Sequence, residues 1–73
     1  MKITYDAEVD ALYIRLLDEP VQVTTQRLSE EVAVNYAPDG RIVGIEVLDA
    51  SAYVFRSGSD PSVVLHNLIA VTA

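Results

Sequence analysis

The 73-residue chain contains no cysteine, which excludes a disulfide framework, a thiolate metal site and a thiol nucleophile. It has one histidine, His66, so no clustered imidazole site forms within one copy. Tryptophan is absent, there is one phenylalanine, and only five residues are basic against eleven acidic, for a net charge of −6. That deficit of positive charge argues against nucleic-acid binding, which needs a basic face to neutralise phosphates. No apolar run reaches the ~18 residues of a membrane span, so no membrane partner is expected. Met1-Lys2-Ile3-Thr4-Tyr5-Asp6 lacks the apolar core of a signal peptide, and a cytoplasmic location is expected.

What is present is apolar and β-forming: half of the residues are hydrophobic. For 8 kDa, scaling gives ~11,600 Å² of unfolded and ~4,500 Å² of folded surface. With ~60% of the difference apolar, burial contributes ~107 kcal/mol. Ordering the chain costs ~110 kcal/mol. The terms cancel, and self-association is the readiest further source of stability, so a homodimer is expected.

Ile3 and Tyr5 alternate with Lys2 and Thr4, which predicts a strand over 2–5. The acidic stretch 6–10 interrupts it as a turn. Alternation resumes over 11–17, with Leu12, Ile14 and Leu16 facing one way and Tyr13 and Arg15 the other. After the turn Asp18-Glu19-Pro20, residues 21–28 read as an edge strand with Val21, Val23 and Thr25 on its core side. A clean strand follows over 32–36. Ala37-Pro38-Asp39-Gly40 is the strongest local signal: proline presets the turn, and Gly40 accepts a positive φ. It closes a hairpin onto 41–48, a strand apolar on both faces and therefore central, with Val43, Ile45 and Val47 opposed to Ile42 and Leu48. Gly44 inside it signals a bulge or a large ring lying over the strand.

Residues 1–50 carry ten acids and four bases, whereas residues 51–73 carry only Arg56 and Asp60. Asp60-Pro61 starts a helix over about 60–66, followed by a terminal strand over about 68–72; one helix over 60–71 is the alternative. The predicted fold class is α+β: a single domain, residues 1–73, with a mostly antiparallel β-meander of about five strands in 1–50. Residues 51–73 form a charge-poor apolar cover with the short C-terminal helix and a sixth strand. Interface candidates are Tyr53, Phe55, Val64, Leu65, Leu68, Ile69 and Val71.

Two blocks resemble a known family. Tyr5-Asp6-Ala7-Glu8-Val9-Asp10-Ala11-Leu12-Tyr13-Ile14-Arg15-Leu16 is similar to the opening of the prokaryotic domain-of-unknown-function family 2283. Val34-Asn35-Tyr36 with Asp39-Gly40-Arg41-Ile42-Val43-Gly44-Ile45-Glu46-Val47-Leu48-Asp49-Ala50-Ser51 resembles its later block. The resemblance covers 1–51 and implies a small, mostly β prokaryotic protein without an assigned activity. It also implies an antitoxin-like role beside a small toxin as one alternative.

No catalytic constellation stands out, and no cofactor is expected. Asp6, Glu8 and Asp10 have the alternating carboxylates of a calcium loop, but Ala11 and Leu17 occupy the places of its glycine and glutamate. A solvated turn, with Asp6 or Asp10 accepting backbone N–H bonds, is the simpler reading. A divalent site completed by Glu46 or Asp49 is the alternative. Glu46 is the candidate buried or functional acid, and a structural salt bridge with Arg15 or Arg41, or simple exposure at the strand end, is favoured over catalysis. His66 with Asp49 and a serine makes no nucleophile elbow, because Ser57-Gly58-Ser59 lacks the flanking glycines. The function expected is a non-enzymatic homo-oligomeric protein-interaction module, whose acidic surface favours a basic protein partner. The alternatives are a small metal- or carboxylate-dependent enzyme and the antitoxin-like partner.

Overall fold

A computed structural model of the chain describes residues 1–55 and His66. The first five elements are strands: β1 (Lys2–Asp6), β2 (Ala11–Arg15), β3 (Thr24–Arg27), β4 (Val32–Tyr36) and β5 (Ile42–Val47). A single helical turn, α1 (Ala50–Tyr53), follows. All pairings are antiparallel, and the strands lie in the order β1-β2-β5-β4-β3. The α+β class and the meander-like antiparallel sheet are as the sequence predicts. The sheet consists of a hairpin, β1–β2, and a three-strand meander, β3–β4–β5, closed by β5 pairing with β2. β5 is central and β3 is an edge, as expected, although β3 is shorter than the stretch 21–28.

Register sorts the side chains onto two faces, because paired residues in a sheet point the same way. One face carries the rows Ile3–Ile14–Ile45–Val34–Gln26 and Tyr5–Leu12–Val47–Val32. The other carries Thr4–Tyr13–Glu46–Ala33–Arg27 and Lys2–Arg15–Gly44–Asn35–Thr25. The first is apolar and the second polar.

Two face assignments differ from plain alternation. In β3, Thr25 lies on the polar face opposite Asn35, and Gln26 on the apolar face opposite Val34. The core side read from Val21 and Val23 therefore does not continue into the strand. In β5 the register skips Val43, so Ile42 stands opposite Tyr36 directly after Gly44 opposite Asn35. The bulge brings Ile42 to the apolar side, whereas plain alternation from Val43 and Ile45 puts it on the other.

The Ala37–Arg41 turn forms as its residues dictate. Gly40 has φ +90°, its N–H donates to the Ala37 carbonyl at 2.9 Å, and the Arg41 N–H donates to Asp39 Oδ1 at 3.1 Å. Among the described residues the buried apolar side chains are Leu12, Ala33, Val34, Ala37, Val43 and Ala50. Half of them are alanine, so the described part of the core is thin. The expected helix over 60–66 and strand over 68–72 lie outside the described residues, except that His66 is exposed and belongs to neither a helix nor a strand.

Candidate functional site

The acidic β1–β2 turn builds itself from its own backbone. Asp6 Oδ1 accepts the Glu8 N–H at 3.0 Å, an Asx turn. Asp10 sits in the left-handed region, φ 53°, which aspartate tolerates better than most residues. That conformation aims its carboxylate across the sheet end at α1. Asp10 Oδ1 accepts the Tyr5 hydroxyl at 2.6 Å and the Ser51 N–H at 3.0 Å. Oδ2 accepts the Ser51 hydroxyl at 2.6 Å, and the Asp10 carbonyl accepts the Ala50 N–H at 3.0 Å. Asp10 thus caps, from 41 residues away, a helical turn whose own N-cap residue, Asp49, makes no side-chain cap bond.

These bonds set the titration of the group. The Ser51 hydroxyl, then that of Tyr5, hold the Asp10 carboxyl below the usual aspartate range, against a smaller opposing effect of burial. The same bond holds the Tyr5 phenol above its ordinary value.

The predicted acids do not gather into a ligand set. Among the described residues no three acidic or histidine side chains converge in a way that would hold a metal ion. Asp6 and Asp10 are engaged as above, and Glu8 is exposed. Glu46 is half-buried at the middle of the polar face, opposite Tyr13 on one side and Ala33 on the other. Its expected partners are turned elsewhere. The Arg15 guanidinium donates to the Leu17 carbonyl at 2.8 Å and the Glu19 carbonyl at 3.3 Å. Arg41 pairs with Asp39 at 2.6 Å, and its backbone N–H, ahead of the guanidinium, holds the Asp39 carboxyl low. The salt bridge expected for Glu46 with Arg15 or Arg41 is therefore absent: each arginine has a nearer acceptor within its own turn.

The polar face contains an arrangement that no single residue advertised. The Tyr13 ring leans diagonally across β5 above Gly44, where a Cβ would collide with its hydroxyl and ring carbon Cζ. The Tyr13 hydroxyl accepts from Asn35 Nδ2 at 3.0 Å, and Asn35 Oδ1 accepts the Thr25 hydroxyl at 2.7 Å. The relay ties β2, β4 and β3 together over β5. Gly44 was the visible signal, and the alternatives of ring or bulge are both realised, with the bulge one residue earlier at Val43. Asn35, the polar residue in an otherwise apolar strand, is the sequence signal for this relay.

Of the interface candidates, Phe55 is half-buried, its ring edge-on to Tyr5 at 4.8 Å and 84°. Tyr53 is 66% exposed and donates its hydroxyl to Glu31 Oε1 at 3.0 Å. That acceptor, the largest influence, holds the Tyr53 phenol above its ordinary value. Val64, Leu65, Leu68, Ile69 and Val71 lie outside the described residues. No described helix is long and apolar enough to cross a membrane.

The model of a family described as "Protein of unknown function (DUF2283)" matches residues 2–51, 50 of the 73 residues. The matched span contains all five strands and both ends of the Asp10–Ser51 link. No curated protein and no solved structure matches the chain.

Proposed function

The chain belongs to the DUF2283 family of proteins of unknown function, and from its own geometry we propose that it is a non-enzymatic, homo-oligomeric protein-interaction module. The observation that carries this is the apolar sheet face beside a thin core. Ile14, Ile45, Val47 and Val32 on that face are only half-buried, and Ile3 and Ile42 are exposed. A sheet face of this composition gains free energy when a second surface removes it from water, at ~25 cal/mol per Å². The acids support the same conclusion by what they already do: Asp6, Asp10 and Asp39 hold turns and a helix end.

Charge indicates a second partner. The β1–β2 turn, the β3–β4 turn and the β5–α1 link lie at one end of the sheet, and they bring Glu8, Asp10, Glu30, Glu31 and Asp49 there. A basic protein surface is the complement, with most of its effect on encounter rate. The self-association is tested by sedimentation velocity of the intact chain at micromolar concentration. A species of twice the chain mass is expected, and a monomer at every concentration overturns the proposal.

A further inference from the structure

Strand β1 is one of the two sheet edges, and its backbone polarity is fixed by its neighbour. The Leu16 N–H donates to the Val43 carbonyl at 2.7 Å, so the backbone groups of Leu16, and by alternation Ile14 and Leu12, face β5. Ala11, Tyr13 and Arg15 then face β1, where they meet Asp6, Thr4 and Lys2. This leaves the N–H and C=O groups of Ile3 and Tyr5 directed away from the sheet and, among the described residues, unpaired by any strand, a template for another one.

The side chains of that template are self-complementary. Lys2, Thr4 and Asp6 share the polar face and are all exposed. Neither Lys2 nor Asp6 has an ion-pair partner among the described residues. Lys2 instead stands opposite Arg15, a like-charge pairing that costs free energy in an antiparallel sheet. Lys2-Ile3-Thr4-Tyr5-Asp6 carries opposite charges at equal distances from Thr4.

We infer that β1 pairs antiparallel with β1 of a second copy, about a two-fold axis at Thr4. This rests on the self-association proposed above and adds an edge seam to it; pairing edge to edge continues the sheet and leaves the apolar face to a separate contact. In that register Ile3 and Tyr5 of the two copies face each other and exchange both N–H···O bonds. Lys2 lies opposite Asp6 of the second copy, and the symmetry repeats the ion pair. Shifting the register by two residues in either direction loses both ion pairs. On the apolar face Ile3 of one copy meets Tyr5 of the other, beside the Phe55 ring already packed there. The opposite edge offers no such match. The outward charge of β3 is Arg27, with no acid in the strand to meet it, and its guanidinium already donates to the carbonyls of Ser29 at 3.4 Å and Glu30 at 3.0 Å.

The test is sedimentation equilibrium of the full chain at low salt, over a concentration range of about 1 to 200 µM, for four proteins: wild type, Lys2→Asp, Asp6→Lys and the double exchange. Circular dichroism verifies that each is folded. Each single variant places like charges opposite one another across the two-fold axis, and the dimer should weaken on the order of tenfold or more. The double exchange restores opposite charges and should return the dissociation constant to within about threefold of wild type. That rescue separates an interface from the role of Asp6 in its own turn, which the double variant also loses. A wild-type dimer that the single variants leave unchanged, or that the double exchange fails to restore, overturns the β1 seam and leaves self-association standing. A wild-type chain that stays monomeric overturns both.

Discussion

The two faces of this sheet hold together by different means. The polar face satisfies itself within one chain: Tyr13, Asn35 and Thr25 are bonded in sequence over Gly44, and Arg15 and Arg27 are turned onto carbonyls of nearby turns. Among the described residues the apolar face has no such closure. Of these residues Leu12, Val34 and Val43 are the buried side chains there, and Phe55 touches its margin at Tyr5. Hydrogen bonds saturate, since each donor and acceptor has a fixed capacity, whereas hydrophobic burial continues to gain with every further Å² removed from water. Groups whose hydrogen-bonding capacity is filled, such as Asn35 bonded to Tyr13 and Thr25, gain little from a partner. A half-covered apolar face gains a great deal.

Substitutions on the two faces should therefore differ in size and in kind. Leu12→Ala on the apolar side should cost about 2–4 kcal/mol in chemical denaturation, because Leu12 is 6% exposed and the sheet around it cannot fully collapse. A loss below about 1 kcal/mol would mean that the position is not a packed core site.

Gly44→Ala on the polar side should cost about 1–3 kcal/mol, through displacement of the Tyr13 ring and the loss of its bond to Asn35. The new Cβ also lies 3.0 Å from the Ile14 carbonyl oxygen, so a smaller part of the cost persists without the ring. In a Tyr13→Ala background the penalty should shrink by at least about 0.5 kcal/mol. An equal penalty in both backgrounds would show that the ring is not what excludes a side chain there.

The Asp10 link adds a pH signature at the sheet end. Its folded pKa lies below the ordinary value, so the folded state binds fewer protons than the unfolded chain in that range. The stabilisation is complete above the unfolded aspartate pKa and is lost as pH falls through the folded one. Asp10→Asn should therefore show a shallower fall of melting temperature on acidification below about pH 4 than wild type. Parallel curves would remove Asp10 from the acid response.

The smallest effect belongs to the end of the relay. Thr25→Val removes one exposed hydrogen bond to Asn35 while keeping the β-branched shape. It should cost about 0.5–1 kcal/mol, read by the same denaturation assay.

What the chain announced in advance was what local chemistry decides. Pro38-Asp39-Gly40 specified its turn, period-2 alternation placed β1, β2 and β4, and Gly44 pointed to the ring above it. What stayed hidden depends on residues far apart in the chain. α1 is four residues long, too short for a helical period, and its cap comes from Asp10 at the other end of the sheet. The pairing of β2 with β5 leaves no local mark, and the bulge at Val43 moved Ile42 across the sheet against simple alternation. The acids looked like candidates for chemistry in one dimension. In three, Asp6 and Asp10 are fasteners, and Glu46 stands apart from both arginines expected to meet it.

The central claim is that the described residues of one copy leave the apolar face incomplete, and that folding is linked to association. Melting temperature measured over protein concentrations from about 1 to 200 µM tests it directly. A melting temperature that climbs with concentration is predicted, because the dimer binds only folded chains. An unchanging value across that range, with a cooperative transition, would contradict the claim.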